Sequence, residues 1–439
     1  FGVGYILGPR IATVMVGGGL LSSLIIIPAI AYWGEGRPPL YPETILTISE
    51  MSAAQIWTRY VRYIGAGAVA AAGIITLVKS LPVMIESFRI GAQELKGRVD
   101  AEVHTVTDAV GGESQPPAAP QIPRTSRDLP LKLVVGGILL IALVLTFLPA
   151  PFAVLENSLE RMVAAVCVVV FAFFFVTVAS RIVGLVGVTS NPTSGMTIAA
   201  LLGTAGVFLV LGWTDLYGKA AALTIGCVVA IAASISGDTS QDLKTGYLLG
   251  ATPRNQQIGE LVGVLTSATF VCLSVLLLAE TFGFGSEELP APQATLMKLV
   301  IDGVLDQNLP WGLVAIGAGI AIAAELAKIP SLPFAVGVYL PVSTMTPIFV
   351  GGMLKLWLER SARDADQAAE RRDRGVLLGS GFVGGEGLIG VAIAGAAFVL
   401  GARPQGLGTG WLGPDWLVTL VSFAFFGLFA AWFVKRIRS

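Results

Sequence analysis

The sequence predicts an all-α, polytopic membrane protein, and three observations support this prediction. Hydrophobic residues make up 54% of the 439 positions and charged residues only 13%, whereas soluble domains carry about 25% charged residues. Mean hydropathy is +0.78. Long apolar runs reach the roughly 20 residues that a helix needs to span a bilayer, and they lack the alternating period of a membrane barrel.

We predict about eleven membrane-crossing segments. They cover approximately residues 11–33, 58–78, 131–149, 161–187, 196–213, 219–236, 257–280, 311–329, 333–356, 376–400 and 416–435. The resulting organisation has three groups of membrane helices, at 1–90, 131–358 and 375–439, separated by a flexible loop at 91–130 and a charged linker at 359–374. The chain opens at Phe1 without Met, so we expect part of the N-terminus to be missing.

The two polar segments indicate the orientation of the chain. Segment 91–130 is rich in Pro, Gly, Ser and charge, a composition that cannot form a packed core. Segment 359–374 mixes both charge signs at helical spacing, which is typical of a solvated helical linker. Basic residues in short loops stay on the cytoplasmic side of a membrane. Both segments are therefore predicted to be cytoplasmic.

The apolar run 333–356 conflicts with this orientation unless it is broken. Lys328 precedes the run and the basic linker follows it, yet both belong on the cytoplasmic side. Pro333, Pro341 and Pro347 each remove a helical hydrogen bond. We interpret the run as a re-entrant pair of half-helices, with a kinked full crossing as the alternative.

A second interrupted element is "TSNPTSGMT" at 189–197. Discontinuous helices expose backbone groups near the bilayer midplane, where secondary transporters bind solutes, so transport is the leading class of function. About forty residues after each broken element comes a Gly-rich polar stretch, "SISGDTS" and "GGEGLIG". This layout hints at an internal repeat, with coincidence as the alternative.

Five stretches, in the same order along the chain, carry a resemblance to a known family: "GVGYILGPRIATVM", "SNPTSGMT", "SQDLKTGYLLGATPRNQQIGE", "LPFAVGVYLPVSTMTPIFVGG" and "GEGLIGV". Together they resemble the oligopeptide transporter (OPT) family, in its prokaryotic branch. The resemblance implies a multi-pass carrier in the cell (inner) membrane and further helices before Phe1. It also implies proton-coupled uptake of small peptides or, as in the related yellow-stripe-like branch, transport of metal chelates with nicotianamine-type ligands. An uncoupled channel-like or lipid-handling protein is the alternative from another class.

Enzymatic activity is not predicted. "GSGFVG" (379–384) and "GEGLIG" (385–390) match a dinucleotide-binding pattern, but they lie in an apolar run and not in a strand-turn-helix unit. We interpret these glycines as sites of close helix packing or helix breakage. No ATP-binding motif is visible, so an ion gradient should drive the protein. The one histidine, His104, lies in the polar loop, and we expect no cofactor and no protein-based metal site.

The polar stretch 236–261 is the first candidate for binding solute. It is either a plain cytoplasmic loop or the lining of a cavity. On a helix, Asp238, Gln241 and Asp242 would share one face. Lys244 would supply a cation for a carboxylate, and Tyr247 a stacking surface. The broken elements add further candidates, which we expect in non-helical backbone facing one cavity: Asn191, Ser194, Tyr339, Ser343 and Thr344.

Two carboxylates inside predicted spans are candidates for proton coupling, because ionisable groups there are costly and mark ion pathways. Glu386 is the leading candidate, because it lies in mid-run without a charged neighbour within one turn, among glycines that would make local unwinding inexpensive. Glu260 lies near a helix end and is the second candidate. A structural hydrogen bond is the alternative role for Glu386. The expected partners are the substrate, protons and the lipid bilayer, with no nucleic acid. The small residues of "GAGAVAAAG" (65–73) permit tight packing within one protomer or in a homo-oligomer.

Overall fold

The structure is a computed structural model that describes residues 1–76, 123–185, 193–286, 291–305, 310–401 and 415–438, together with the isolated positions 78, 79, 81, 82, 85, 86, 89 and 289. The described residues are helical or form turns, and no strand occurs among them. The prediction of an all-α protein is therefore confirmed.

The chain divides into two compact units. The first comprises Phe1–Ala72, Thr269–Pro292 and Pro310–Ser439, and the second comprises Gly73–Ala268 and Gln293–Leu309. Helices that begin in the first unit are α1 Gly2–Leu7, α2 Pro9–Leu20, α3 Ile27–Gly34, α4 Ala53–Ile56, α5 (described over 62–76), α12 Trp311–Leu326, α13 Ser331–Tyr339, α14 Val342–Arg360, α15 Ala365–Leu400 and α16 Asp415–Arg438. Helices that begin in the second are α6 Leu131–Phe147, α7 Ser158–Leu185, α8 Thr193–Leu211, α9 Leu216–Leu249 and α10 Pro253–Phe282. Helix α11 Pro292–Leu305 belongs to the second unit from Gln293 onward.

Seven helices in the described part of the chain are long and apolar enough to cross a membrane. These are Pro9–Gly34, Arg124–Phe147, Ser158–Gly184, Leu216–Leu249, Pro253–Phe282, Ala365–Leu400 and Trp416–Arg438. Two further predicted spans correspond to shorter apolar helices, Gly195–Leu211 and Trp311–Leu326. No residue of α6 or α10 is buried. A helix that is apolar around its whole circumference yet exposed is suited to lipid contact.

Backbone-to-backbone packing joins two interrupted helices in the first unit. Gly8, with φ of 84°, separates α1 from α2, and Leu340 and Pro341 separate α13 from α14. A methyl group at Gly337 would overlap the carbonyl oxygen of Met15, and one at Gly18 would overlap that of Phe334. The missing side chains therefore let α2 and α13 approach closely.

The same unit has a second closely packed group of helices. A Cβ at Gly317 of α12 would overlap the backbone of Ile64, and one at Gly67 would overlap that of Val314. A Cβ at Gly65 would likewise overlap the backbone of Tyr339. Small residues in the segment 65–73 therefore serve packing within this chain.

The second unit is built around α7 and α9, which pack along each other, with α8 against α9 and α6 against α7. Buried alanines and valines recur on the facing sides of both helices: Ala164, Ala165, Val168, Val178 and Ala179 on α7, and Ala221, Ala222, Val229 and Ala233 on α9. Lys219 on α9 pairs with Asp302 on α11 at 3.6 Å.

The two predicted cytoplasmic segments fall differently in the structure. Residues 91–122, including His104, lie outside the described residues. The charged segment 359–374 is mostly helix, because α15 begins at Ala365 and continues through the apolar run to Leu400. The Asp364 carboxylate caps this helix by accepting a hydrogen bond from the Gln367 N–H at 2.7 Å. The assignment of these segments to the cytoplasm stays a prediction.

Candidate functional site

The polar stretch that follows Ile235 belongs to a helix. The Asp215 carboxylate caps the start of α9, accepting a hydrogen bond from the Gly218 N–H at 2.9 Å. The helix then runs without interruption to Gly250, which adopts the left-handed conformation that ends many helices. Residues 236–249 are therefore the last turns of α9, so their backbone is helix and not loop. Their role as the lining of a cavity stays a prediction.

The predicted shared face on α9 follows from this helical backbone. Asp238 and Asp242 are exposed and Gln241 is half-buried, so two carboxylates and an amide follow one another along one side of the helix. Tyr247 is 75% exposed. These side chains are open to a solute or to a neighbouring surface.

Lys244 has a partner on α7. Its ammonium donates to the carbonyl oxygen of Gly184 at 2.9 Å. That carbonyl belongs to the last turn of α7, where unpaired carbonyls give the helix end a partial negative charge. Ser180 and Ser240 form a second link between the two helices, with 2.6 Å between their hydroxyl oxygens. Lys244 thus stabilises the end of α7, a role that the sequence did not indicate.

A pocket of about 380 Å³ lies beside this face, within the second unit. Its walls come from α9, from the first turns of α10, from the segment that leads into α6 and from the first turn of α6. The lining residues are Asp128, Leu129, Val134, Ile235, Thr239, Gln257, Glu260, Leu261 and Val264. The pocket is therefore mostly apolar, with a few convergent polar groups, as is typical of small-molecule sites.

Glu260 is the carboxyl group of this pocket. The Thr239 side chain hydrogen-bonds it, and the charge of Asp242 acts on it from α9. Its Oε1 atom is buried and has no hydrogen-bond partner among the described residues. A buried acceptor without a donor is costly, so this oxygen favours a ligand, a water molecule or its own proton.

Gln257 fixes the third wall of the pocket. Its Oε1 accepts from the Leu129 N–H at 2.8 Å, and its Nε2 donates to Asp128 Oδ1 at 3.3 Å. The Arg254 N–H, at the start of α10, donates to the carbonyl oxygen of Arg127 at 2.9 Å. The end of the polar segment 91–130 is therefore attached to α10, which positions the Asp128 carboxylate at the pocket.

The first unit holds three of the residues predicted to bind solute. Tyr339 ends α13 and is 5% exposed, with its hydroxyl hydrogen-bonded to the side chain of Arg62. Ser343 and Thr344 lie in the first turn of α14 and are exposed. The break in the run 333–356 is confirmed, but only Leu340 and Pro341 are non-helical.

The other interrupted element differs from its prediction in part. Asn191 lies outside the described residues. Ser194 lies in the first turn of α8, which begins at Thr193, so non-helical backbone is wrong for Ser194 as it is for Ser343 and Thr344. In each case a proline precedes the hydroxyl residues and is compatible with a helix start, because the first helical turn has no hydrogen bond for proline to remove.

Glu386 is exposed on α15, and the backbone around it is helical throughout. The low cost of unwinding at its neighbouring glycines stays an expectation. A Cβ at Gly381, Gly384, Gly385 or Gly387 would have no neighbour within 4 Å in the described part of the chain, whereas Gly379 packs against Gly2. Among the described residues, close packing of the glycines in this run is thus limited to Gly379.

Sequence reasoning missed three polar residues of the pocket: Asp128, Thr239 and Gln257. Gln257 and Glu260 are three residues apart and share a helical face, a spacing that could have connected them. Asp128 was hidden inside a segment interpreted as one flexible loop.

Apolar helices long enough to span a bilayer, an interrupted helix pair and an apolar pocket with a carboxyl group define a multi-pass α-helical membrane protein of the transporter type. Comparison with known families agrees with this class. The model of the family described as "OPT oligopeptide transporter protein" matches residues 1–397. The chain belongs to the OPT family.

Individual relatives come from bacteria and plants. A Haemophilus influenzae protein provisionally named an oligopeptide transporter is 30% identical over 432 residues, covering 90% of this chain and 64% of that protein. An Arabidopsis thaliana protein provisionally named a metal-nicotianamine transporter is 25% identical over 423 residues, covering 87% of this chain and 54% of its own length. An iron-phytosiderophore transporter of Oryza sativa subsp. japonica is 26% identical, over 41% of this chain and 28% of its own. The chain thus spans 64% and 54% of the length of the first two of these relatives.

Proposed function

We propose that this chain forms part of a secondary active transporter that couples the uptake of small peptides or peptide-like solutes to protons across a cell (inner) membrane. The single observation that carries this proposal is the position of Glu260. Its carboxyl group lies in an apolar pocket, next to a helix face with two more carboxylates. A carboxyl group can gain or lose a proton as a solute enters or leaves, which is the chemistry that symport requires.

The exposed face of α9 supports a binding role for the same region. Asp238, Gln241, Asp242 and Tyr247 offer hydrogen bonds, negative charge and a stacking surface, and Lys244 adds an ammonium group at the end of α7. A zwitterionic peptide presents both charge signs, so groups of both signs suit it. We keep Asn191, Ser194, Tyr339, Ser343 and Thr344 as further candidates to bind solute.

A metal-chelate substrate is the second candidate. The names of the plant relatives, which refer to metal–nicotianamine and iron–phytosiderophore transport, support it. Nicotianamine-type chelates carry carboxylates and amines, so they need the same two charge signs. A peptide panel and a metal–nicotianamine complex should therefore be compared in one assay.

Glu260 and Glu386 are both proposed proton sites, and the pocket favours Glu260. We expect Glu260→Gln to abolish accumulation against a gradient in proteoliposomes while preserving counterflow exchange, because the amide resembles the protonated acid. Glu386→Gln is measured in parallel. Glu280→Gln, an exposed carboxylate on the same helix as Glu260, serves as the matched control and should accumulate solute normally.

The assay separates the alternatives directly. A protonophore should collapse uptake by the unmodified protein if transport is coupled to protons. Uptake that persists with a protonophore would instead favour a channel-like protein. Unchanged accumulation and pH dependence in Glu260→Gln would remove this residue from the proton path.

A further inference from the structure

Two arginines converge on one hydroxyl group where α14, α15 and α16 meet in the first unit. Ser361 follows α14, and its Oγ accepts hydrogen bonds from Arg371 Nη1 at 3.0 Å and from Arg438 Nη2 at 3.5 Å. Arg371 Nη1 also donates to the carbonyl oxygen of Leu358 at 3.1 Å. Both guanidinium groups are therefore hydrogen-bonded to the same hydroxyl oxygen.

These two guanidinium groups differ from their neighbours on α15. Arg374 pairs with Glu370 at 2.7 Å, and Arg372 pairs with Asp373 at 3.5 Å. Within the described residues, neither Arg371 nor Arg438 has a carboxylate at ion-pair distance. Cations that converge without an acid repel each other, and an anion between them would remove that repulsion.

Aromatic rings lie directly beside this charge. The Arg438 guanidinium lies 4.3 Å from the ring centroid of Trp357, and the Arg436 guanidinium 5.8 Å from that of Trp432. Trp357 is 49% exposed and Trp432 is 44% exposed. Half-exposed tryptophans at the ends of apolar helices are typical of the membrane–water interface.

Apolar surface continues from the charged end along α16. Leu420, Phe423, Phe425 and Leu428 are all more than half exposed on this helix. The local surface thus has a doubly cationic end, an aromatic boundary and an apolar side. These features are complementary to a phospholipid, which has a negative headgroup at one end and apolar acyl chains at the other.

We propose that the arginine cluster, defined as Arg371, Arg438, Ser361 and Trp357, binds the phosphate of an anionic phospholipid. The forked donors of arginine match phosphate oxygens, and basic residues next to a membrane span attract anionic lipids. The exposed side of α16 would contact the acyl chains. This apolar contact favours a lipid over free phosphate, because free phosphate has no apolar group that could contact α16.

The test uses the purified whole protein in a neutral detergent. Thermal unfolding is followed during titration with short-chain phosphatidylglycerol, short-chain phosphatidylcholine and glycerol phosphate. Phosphatidylglycerol alone should stabilise the unmodified protein. Arg438→Gln should weaken its binding about fivefold, which is the contribution of one cation near an anionic surface.

Two further variants make the result specific. Arg438→Lys keeps the charge but loses the planar fork, so its binding should be intermediate. Arg374→Gln removes an equal charge from an arginine that has its own carboxylate, so it should bind like the unmodified protein. If Arg438→Gln does not fold, Arg438→Lys and Arg374→Gln still give the comparison.

Three outcomes would overturn the proposal. Equal weakening in Arg438→Gln and Arg374→Gln would mean that only net charge matters. Equal stabilisation by glycerol phosphate would identify a site for a free anion. Equal stabilisation by phosphatidylcholine would show that the acyl chains alone are recognised.

Discussion

The interrupted helices of the first unit and the α9–α10 region of the second unit are each stabilised by internal contacts, and the kind of contact differs between them. In the first, glycines bring backbones together, as where Gly337 meets Met15 and Gly18 meets Phe334. In the second, side chains make the connections, as where Lys244 reaches Gly184 and Gln257 reaches both Asp128 and Leu129. The packing of the first region depends on the missing side chains of glycine, and that of the second depends on specific polar side-chain atoms.

This difference has a functional consequence. Closely packed backbones leave no space for a solute, and small changes of position cause overlap. Polar links between side chains can break and form again while their helices stay intact. We therefore expect the α9–α10 region to be able to rearrange and the glycine contacts to act as a fixed support.

The largest expected effect comes from adding one methyl group to the first region. Gly337→Ala places a Cβ against the Met15 carbonyl oxygen, which lies in a helix backbone and cannot move independently. We expect a loss of about 1–3 kcal/mol in the free energy of unfolding, as for overpacked cores. Thermal unfolding in detergent measures it.

Gly381→Ala is the matched control for this prediction. Gly381 lies on α15, and a Cβ there would have no neighbour within 4 Å in the described residues. Alanine is the better helix former by up to about 1 kcal/mol, so stability should be unchanged or slightly higher. Equal melting temperatures for the two variants would show that the glycine contact is not a fixed support.

The same contrast explains what the sequence could predict. Apolar runs and prolines gave the helical class and the break at Pro341, because both are local properties of the chain. The secondary structure of segment 236–249 was harder to predict, since its polarity fits a loop as well as a helix. The structure shows one continuous helix between the cap at Asp215 and the end at Gly250.

The pocket depends on residues far apart in the sequence. Asp128 and Gln257 are 129 positions apart, and no periodic pattern connects them. The partner of Lys244 is a backbone carbonyl, which has no sequence signature. Polar side chains could thus be selected as candidates from the sequence, but their partners could not.

A smaller effect is expected from Lys244 in the second region. Lys244→Ala removes the cation from the end of α7 and should cost about 0.3–1 kcal/mol of stability, the usual range for a charge at a helix terminus. Uptake per folded molecule should also fall if the ammonium contacts solute, whereas Asp242→Asn should lower uptake without changing stability. Unfolding and uptake are measured on the same preparations.

Lys298→Ala provides the control, since Lys298 is an exposed lysine on α11 of the same unit. It should change neither quantity. An unaltered melting temperature in Lys244→Ala would contradict the role at the end of α7, and unaltered uptake would contradict a role in binding.

The smallest effect is present at neutral pH and disappears in acid, and it concerns a polar link inside the first unit. Glu43 lies in the segment between α3 and α4, and its side chain is 3% exposed. Its Oε1 accepts hydrogen bonds from the N–H groups of Ile45 and Thr44, both at 2.9 Å, and its Oε2 pairs with Arg59. The hydrogen bond from Ile45 lowers the pKa of Glu43 most; burial acts in the opposite direction, and Thr44 and Arg59 lower it further.

A lowered folded-state pKa means that the ionised carboxylate stabilises the fold. This contribution is complete above the ordinary value of 4.5 and is lost as the pH falls through the lower value of the folded protein. Glu43→Gln should therefore be less stable than the unmodified protein at neutral pH, and the difference should shrink below pH 4.5. Unfolding midpoints across this range measure it, with Glu35→Gln, an exposed glutamate near α3, as the control. If Glu43→Gln and the unmodified protein differ by the same amount at every pH, the carboxylate contributes through its shape alone, and the first unit depends on backbone packing even in this polar segment.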